Sequence, residues 1–255
     1  MPKTQSPIKW PGGKTRLADR IIRLLPGHTC YVEVFGGSLA VLLEKPRSTV
    51  EVINDLNSDL VTLYRVCRHH HEALIQELSL QINSREEMKS YEAQPGLTDI
   101  QRAARFLFRN FISFGGDCRS YGVQRTGTGG AASRLTTLLQ KIRDFHQRLE
   151  GVCIEHLTWQ RCLQLYDSPA TVFFLDPPYV GGAQKAYASW TEADMVELRQ
   201  ALLGLQGTWV LTTGASTIER SVFAGCRILR VQRPKGIRAG GQFSELIITP
   251  PHIQN

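Results

Sequence analysis

The chain has 255 residues, 42% of them hydrophobic, and a formal charge of +7, which suits one large domain, or one carrying an insertion, around a sizeable core. No run approaches the about 18 apolar residues of a membrane span, and the amino terminus, with Lys3, Lys9 and Lys14 around Pro7 and Trp10, lacks an apolar signal-peptide core, so a cytoplasmic protein is expected. Six scattered cysteines without a Cys-x-x-Cys pair point away from structural zinc and from a disulfide framework, and the positive charge favours a polyanionic partner.

In chain order, Pro7-Ile8-Lys9-Trp10-Pro11-Gly12-Gly13-Lys14-Thr15 contains Gly-Lys-Thr, but a phosphate loop needs glycine where Ile8 stands and an apolar strand leading in. Leu17, Ile21, Leu24 and Leu25 share a helical face that ends at Pro26-Gly27. Tyr31 to Phe35 reads as a strand that breaks at Gly36-Gly37-Ser38 and runs into a helix from Leu39 to Glu44. Such a corner binds ligands, because glycines admit them to the backbone and the first helical turn presents N–H groups. A second strand, Val50 to Ile53, ends on Asn54-Asp55, and Asp55 lies about 20 residues after Gly36, where a doubly wound fold holds a ribose. The full Gly-x-Gly-x-x-Gly is absent, which counts against a dinucleotide; a helix-capping Asn54 or Asp55 is the alternative reading.

From Asp59 to about Leu165 helical periods replace alternation. Leu60, Leu63, Tyr64 and Val66 lead through His69-His70-His71 to Leu74, Ile75 and Leu78 on one continuing apolar face. Three adjacent histidines point in different directions around a helix, which suits a solvated face and no metal. Ile100 to Ile112 is a helix with Arg102, Arg105 and Arg109 among Phe106, Leu107 and Phe108. A loop from Phe114 to Arg125 trails into Thr126-Gly127-Thr128-Gly129-Gly130; its Arg119, Tyr121, Gln124 and Arg125 suit phosphates or base edges. Arg134 to Leu149 restores a basic amphipathic helix.

Strands return at Val152 to Ile154 and at Val172 to Leu175, an apolar run that ends on Asp176-Pro177-Pro178-Tyr179. Prolines cannot extend a ladder, so the strand stops, and Asp176 and Tyr179 are left at a carboxyl end, where open α/β sheets bind ligands. Thr191 caps a helix to Leu203. Trp209 to Thr213, Ile228 to Val231 and Leu246 to Thr249 close the sheet, with a basic loop from Arg233 to Gly241. The expected fold is a doubly wound α/β core from 1–58 and 152–255, split by a helical insert, 59–151.

Taken together, Lys9-Trp10-Pro11-Gly12-Gly13-Lys14, Glu33-Val34-Phe35-Gly36-Gly37-Ser38, Asn54-Asp55-Leu56-Asn57 and Asp176-Pro177-Pro178-Tyr179 resemble, in order and over nearly the whole chain, the Dam-type DNA adenine-N6 methyltransferases, the alpha group of amino-methyltransferases. The resemblance implies a Rossmann-like methyltransferase sheet with a helical target-recognition insert, and site-specific transfer of methyl from S-adenosyl-L-methionine to adenine N6 in DNA. It assigns the cofactor to Trp10, Lys14, Glu33, Phe35, Gly36, Asp55 and Asp176, catalysis to Asp176, Pro177 and Tyr179, and DNA contact to Arg109, Arg119, Tyr121 and Arg125. DNA is the implied partner, with no membrane and no obligate protein partner. Two departures stand out. The family's Phe-x-Gly-x-Gly ends here on Leu39, and Gly115-Gly116-Asp117-Cys118-Arg119 aligns with its Asn-Gly-Leu-x-Arg, so the target sequence is not carried over.

The residues suit this chemistry. An exocyclic adenine amine is a poor nucleophile because its lone pair is delocalised. Asp176 and the Pro177 carbonyl can accept its two hydrogens and aim the lone pair at a methyl group, while the Tyr179 ring offers a stacking face for a flipped base. Cytosine-C5 methylation needs a Pro-Cys nucleophile, which the chain lacks. N-methylation of RNA or of a protein amide, or DNA binding without catalysis, are the other readings.

Overall fold

The computed structural model describes residues 4–81, 84–121, 131–181, 190–234 and 242–253. In chain order these form α1 (Ala18–Arg23), β1 (Cys30–Glu33), α2 (Ala40–Glu44), β2 (Val50–Asn54), α3 (Ser58–His69), α4 (His71–Ser79), α5 (Arg85–Ala93), α6 (Asp99–Ile112), α7 (Ala131–Leu149), β3 (Cys153–Glu155), α8 (Trp159–Tyr166), β4 (Thr171–Leu175), α9 (Glu192–Leu203), β5 (Thr208–Gly214), α10 (Thr217–Val222), β6 (Arg227–Pro234) and β7 (Gln242–Thr249). The strands make one seven-stranded sheet, ordered β3-β2-β1-β4-β5-β7-β6. β2, β1, β4 and β5 run parallel, and β7 is antiparallel to both β5 and β6. This is the doubly wound order with an antiparallel strand slipped in beside β5, a Rossmann-like α/β fold. Among the described residues no helix is long and apolar enough to cross a membrane.

The chain divides into two compact units, one of Met1–Ala18, Gly37–Lys45 and Asn57–His156, the other of Asp19–Gly36, Pro46–Leu56 and Leu157–Asn255. In the second unit, β4 is buried along its whole length, which is why its sequence is an unbroken apolar run. One core joins Val32, Phe173, Leu175, Trp209 and Leu211 of the strands to Cys162, Leu163, Met195, Leu198, Leu202 and Phe223 around α8, α9 and α10; each buried side chain of this size contributes about 1.5–3 kcal/mol. Helix α9 starts at a capping box, in which Thr191 accepts from the Asp194 N–H and Asp194 accepts from the Thr191 N–H.

Three local differences from the sequence expectations have physical causes. The apolar stripe through the histidines is two helices rather than one, because His70 leaves helical geometry at φ −137°, ψ 32°; His71 then stacks on His146 of α7 with ring centroids 3.8 Å apart. Arg233 and Pro234, read as loop, continue β6, where Arg233 pairs with Phe243 and Pro234 with Gln242. β6 is an edge strand, so the missing proline N–H leaves no inner ladder broken. The cap after β2 is Asn57, which accepts from the N–H groups of Asp59 and Leu60 at the start of α3, not Asn54 or Asp55. The rest of the basic loop, 235–241, lies outside the described residues, as do 122–130.

In the first unit, α3, α4 and α5 pack against α6, and α7 packs against α3 and α4. Helix α6 carries Ala103, Ala104, Leu107 and Phe108 on its buried side, a three-to-four spacing that follows the helical turn. Leu39, just before α2, sits at φ 55°, ψ 32° and is fully buried. A side chain in that left-handed region costs about 1–2 kcal/mol, less than the burial of a leucine contributes. Leu39→Ala is therefore expected to destabilise the protein by about 2–4 kcal/mol, since it removes packing without relieving the backbone. Leu39→Gly relieves the backbone as well, and in urea unfolding it should be the milder variant by about 1 kcal/mol; the reverse order would show that the leucine conformation is unstrained.

Candidate functional site

The parallel register brings three strand ends side by side in the second unit. Glu33 of β1 lies opposite Ile53 of β2 and Phe174 of β4, the Val34 N–H donates to the Phe174 carbonyl (3.0 Å), and the Gly36 N–H donates to the Asn54 carbonyl (2.8 Å). Phe35 and Gly36, Asp55 and Asp176 are thus consecutive stations on the carboxyl edge, with β1 between the other two strands. The strand order runs outward from β1 both ways, to β2 and β3 on one side and to β4 and β5 on the other, and ligands bind open α/β sheets at such a switch point.

Each station is held by its neighbours. Asn54 is a clamp that the sequence does not announce: its Nδ2 donates to the carbonyls of Val34 (2.9 Å) and Leu157 (3.1 Å), and its Oδ1 accepts from the Leu157 N–H (2.8 Å). The Asp55 side chain that follows is buried. A carboxylate there can take the two hydroxyl hydrogens of a sugar diol. Glu33 is also buried and accepts from the Tyr31 hydroxyl at 2.9 Å. Phe35 meets the Trp190 ring edge to face, centroids 5.9 Å apart, and Trp190 in turn packs against Trp159.

Asp176 is half-buried where β4 stops. Thr212 of β5 donates from Oγ1 to Asp176 Oδ1 at 2.8 Å, which fixes the rotation of the carboxyl group. Pro177 is buried, and Tyr179 donates from its hydroxyl to Glu245 Oε1 at 2.6 Å. Neither Thr212 nor Glu245 carries a local sequence signal, because the partners lie on other strands.

In the first unit, Trp10-Pro11-Gly12-Gly13 is a turn closed by the Gly13 N–H on the Trp10 carbonyl at 2.9 Å, with proline in the favoured second place. The Trp10 indole lies against Gly37, where a Cβ would fall 2.8 Å from Trp10 Cδ1, so the glycine corner and the amino-terminal segment do meet. Lys14 is buried, and its Nζ donates to the Gly12 carbonyl at 2.7 Å. The Tyr64 hydroxyl donates to the Gly37 carbonyl.

The loop after α6 is built by the end of that helix. Arg109 Nη2 donates to the Cys118 carbonyl (2.8 Å) and pairs with Glu92 at 3.5 Å, so its guanidinium shapes the loop. Asn110 is fully buried, with Oδ1 accepting from the Lys9 N–H (2.9 Å) and Nδ2 donating to the carbonyls of Lys9 (2.8 Å) and Gly116 (3.0 Å). Asp117 Oδ1 accepts from the N–H groups of Arg119 and Ser120 and from the Ser120 hydroxyl. Desolvation, the largest influence on that carboxyl, raises its pKa, but these donors together hold it below its ordinary value. Arg119 is exposed at the tip of this turn, and the Arg85 guanidinium lies 4.9 Å over the Tyr121 ring. Arg125 lies outside the described residues.

Against this geometry stand the matches to known proteins. A family model described as D12 class N6 adenine-specific DNA methyltransferase matches residues 10–220. The Type II methyltransferase M1.LlaDCHI of Lactococcus lactis subsp. cremoris is 25% identical over 270 residues, covering 94% of this chain and 93% of that protein. The retron Ec67 DNA adenine methylase of Escherichia coli is 25% identical over 255 residues, 91% of this chain and 86% of its own length. The DNA adenine methylase of Escherichia coli (strain K12) is 34% identical over 125 residues, which is 47% of this chain and 45% of that one.

Proposed function

Because this chain belongs to the D12 class of N6 adenine-specific DNA methyltransferases, enzymes that methylate adenine in DNA, we propose that its methyl donor is S-adenosyl-L-methionine and that Asp176, Pro177 and Tyr179 hold the target base. The observation that carries this reading is the position of Asp176 at the carboxyl end of β4, beside the β1 end with Phe35 and Gly36 and on the same edge as Asp55. The donor set fits: a buried carboxylate, Asp55, for ribose hydroxyls, and a backbone turn at Gly36 for close approach. Trp10, Lys14 and Glu33 keep the cofactor role that the resemblance gives them.

When bound, the donor supplies a methyl group on a positively charged sulfur. The protein's part is to prepare the nucleophile. Asp176 and the Pro177 carbonyl accept the two N6 hydrogens, which localises the nitrogen lone pair, and the Thr212 bond keeps the Asp176 carboxyl from turning away. Holding both groups in one geometry supplies the orientation that a free amine lacks. The base leaves the duplex to reach them and lies against the Tyr179 ring. N6 would bond to the methyl group as the methyl–sulfur bond breaks with its electron pair left on a neutral thioether, and the proton then lost from N6 would pass to Asp176, the carboxylate being the stronger base of the two acceptors.

Residues 59–151 then form the target-recognition part, with Arg119 reading a base edge and Tyr121 and Arg125 adding contacts, Arg119 being suited to the major-groove acceptors of guanine. Arg109 serves through the loop that it shapes. The test is transfer of labelled methyl to DNA amplified without modification, followed by nucleoside analysis. Label is expected on N6 of adenine alone; label on cytosine N4, on RNA in preference to DNA, or nowhere, overturns the reading.

A further inference from the structure

A second feature of the Asp176 to Tyr179 stretch lies at its aromatic end. Glu245 is fully buried in β7, opposite Gly214 of β5 and Val231 of β6. A carboxyl group in the middle of a sheet loses several kcal/mol of hydration, so it is retained where a partner requires it. The Tyr179 hydroxyl, 2.6 Å from Oε1, is such a partner. At the adjoining position Gly214 carries no side chain, and a Cβ there would lie 3.4 Å from Tyr179 Cδ2 and 3.7 Å from Cγ. The ring therefore rests on the Gly214 backbone while its hydroxyl is tied to the next strand, and two contacts at opposite ends of the side chain leave it one orientation. The same Gly214 Cβ would lie 3.5 Å from Glu219 Oε1, another buried carboxyl.

We propose that Glu245 is a positioning residue for methyl transfer, holding the Tyr179 ring over Gly214 in the orientation that a flipped base stacks on. This rests on the reading of Tyr179 given above. In this proposal Glu245 contacts neither base nor cofactor and acts through the tyrosine that it tethers.

The test measures methyl transfer to amplified DNA as kcat and as KM for DNA, with thermal unfolding to check folding. Glu245→Ala is expected to lower kcat by about 10–100-fold with little change in KM, the scale of a misplaced reacting group. Glu245→Gln keeps an acceptor oxygen and should retain turnover within about threefold of the parent. Tyr179→Phe keeps the ring and loses the tether, so it should match Glu245→Ala, and the double variant should be no worse than either single one. Multiplying losses, or full turnover in both single variants, would overturn the proposal. If Glu245→Ala fails to fold, the Tyr179→Phe and Glu245→Gln pair still decides, because equal and unchanged turnover rejects the tether. Tyr179→Ala separates the premise: full turnover in that variant rejects Tyr179 as the stacking residue, whereas a loss there with none in Tyr179→Phe rejects Glu245 alone.

Discussion

Asp176→Ala is expected to cut methyl transfer sharply, with kcat reduced by several hundredfold, about 10²–10³, while folding and DNA binding persist. The size follows from what the carboxyl group does. In the role proposed for it, it accepts one hydrogen of a delocalised amine and stabilises the positive charge that grows on that nitrogen, a role worth about 3–4 kcal/mol when the group is preorganised. Preorganisation is visible in the 2.8 Å bond from Thr212. Asp176 is half-buried rather than part of the core, so losing it leaves no large cavity, and the buried Thr212 hydroxyl keeps the Leu175 carbonyl at 3.4 Å as its acceptor, so stability should change by about 1–2 kcal/mol. Asp176→Asn retains one acceptor oxygen but not the charge, and its turnover should fall between parent and alanine variant. Single-turnover transfer, urea unfolding and a DNA-binding titration separate these effects. Substantial turnover in Asp176→Ala would remove the residue from the chemistry, and unfolding of that variant would make its role structural.

The carboxyl-edge stations were legible because they coincide with breaks. Gly36-Gly37, Asn54-Asp55 and Pro177-Pro178 each interrupt an apolar run, and such interruptions mark where a strand meets solvent or ligand. The strands themselves were legible because both faces of β4 are covered, which demands a continuous apolar stretch. What escaped has the opposite character. Helix α5 buries only Met88 and Tyr91 among polar neighbours, too little for a stripe to show. Asn54, Asn110, Thr212 and Glu245 are polar residues whose work is done with distant partners: Asn110 and Lys9 lie 101 positions apart, and Tyr179 and Glu245 lie 66 apart. No local pattern can announce a bond of that span. Arg109 illustrates the same limit from the other side. A basic residue on an amphipathic helix suggests phosphate contact, yet its guanidinium is engaged by the Cys118 carbonyl and Glu92.

That span makes the loop around Gly116 the second place where one atom should have a large effect. Gly116 sits at φ +79°, and a Cβ there would lie 2.2 Å from the Lys9 carbonyl oxygen, 2.8 Å from Lys9 Cβ and 2.9 Å from Asn110 Nδ2. The first of these is backbone and cannot swing aside, so Gly116→Ala must expel either the loop or the segment leading to Trp10. Both share the Asn110 amide, which loses one bond if the loop moves and two if the segment does, leaving a buried polar group short of partners at about 1–3 kcal/mol. With the left-handed backbone added, Gly116→Ala should cost about 3–5 kcal/mol in urea unfolding. If Arg119 reads a base edge as proposed, DNA affinity should fall at least about tenfold, because the turn that presents it is lost along with a contact worth about 1–3 kcal/mol. Gly115 is the matched comparison: it is also left-handed, at φ +64°, but a Cβ there meets nothing within 4 Å. Gly115→Ala should therefore cost only about 1 kcal/mol. Equal effects at the two glycines would mean that strain alone governs the loop and that the Lys9–Asn110–Gly116 junction does not hold it.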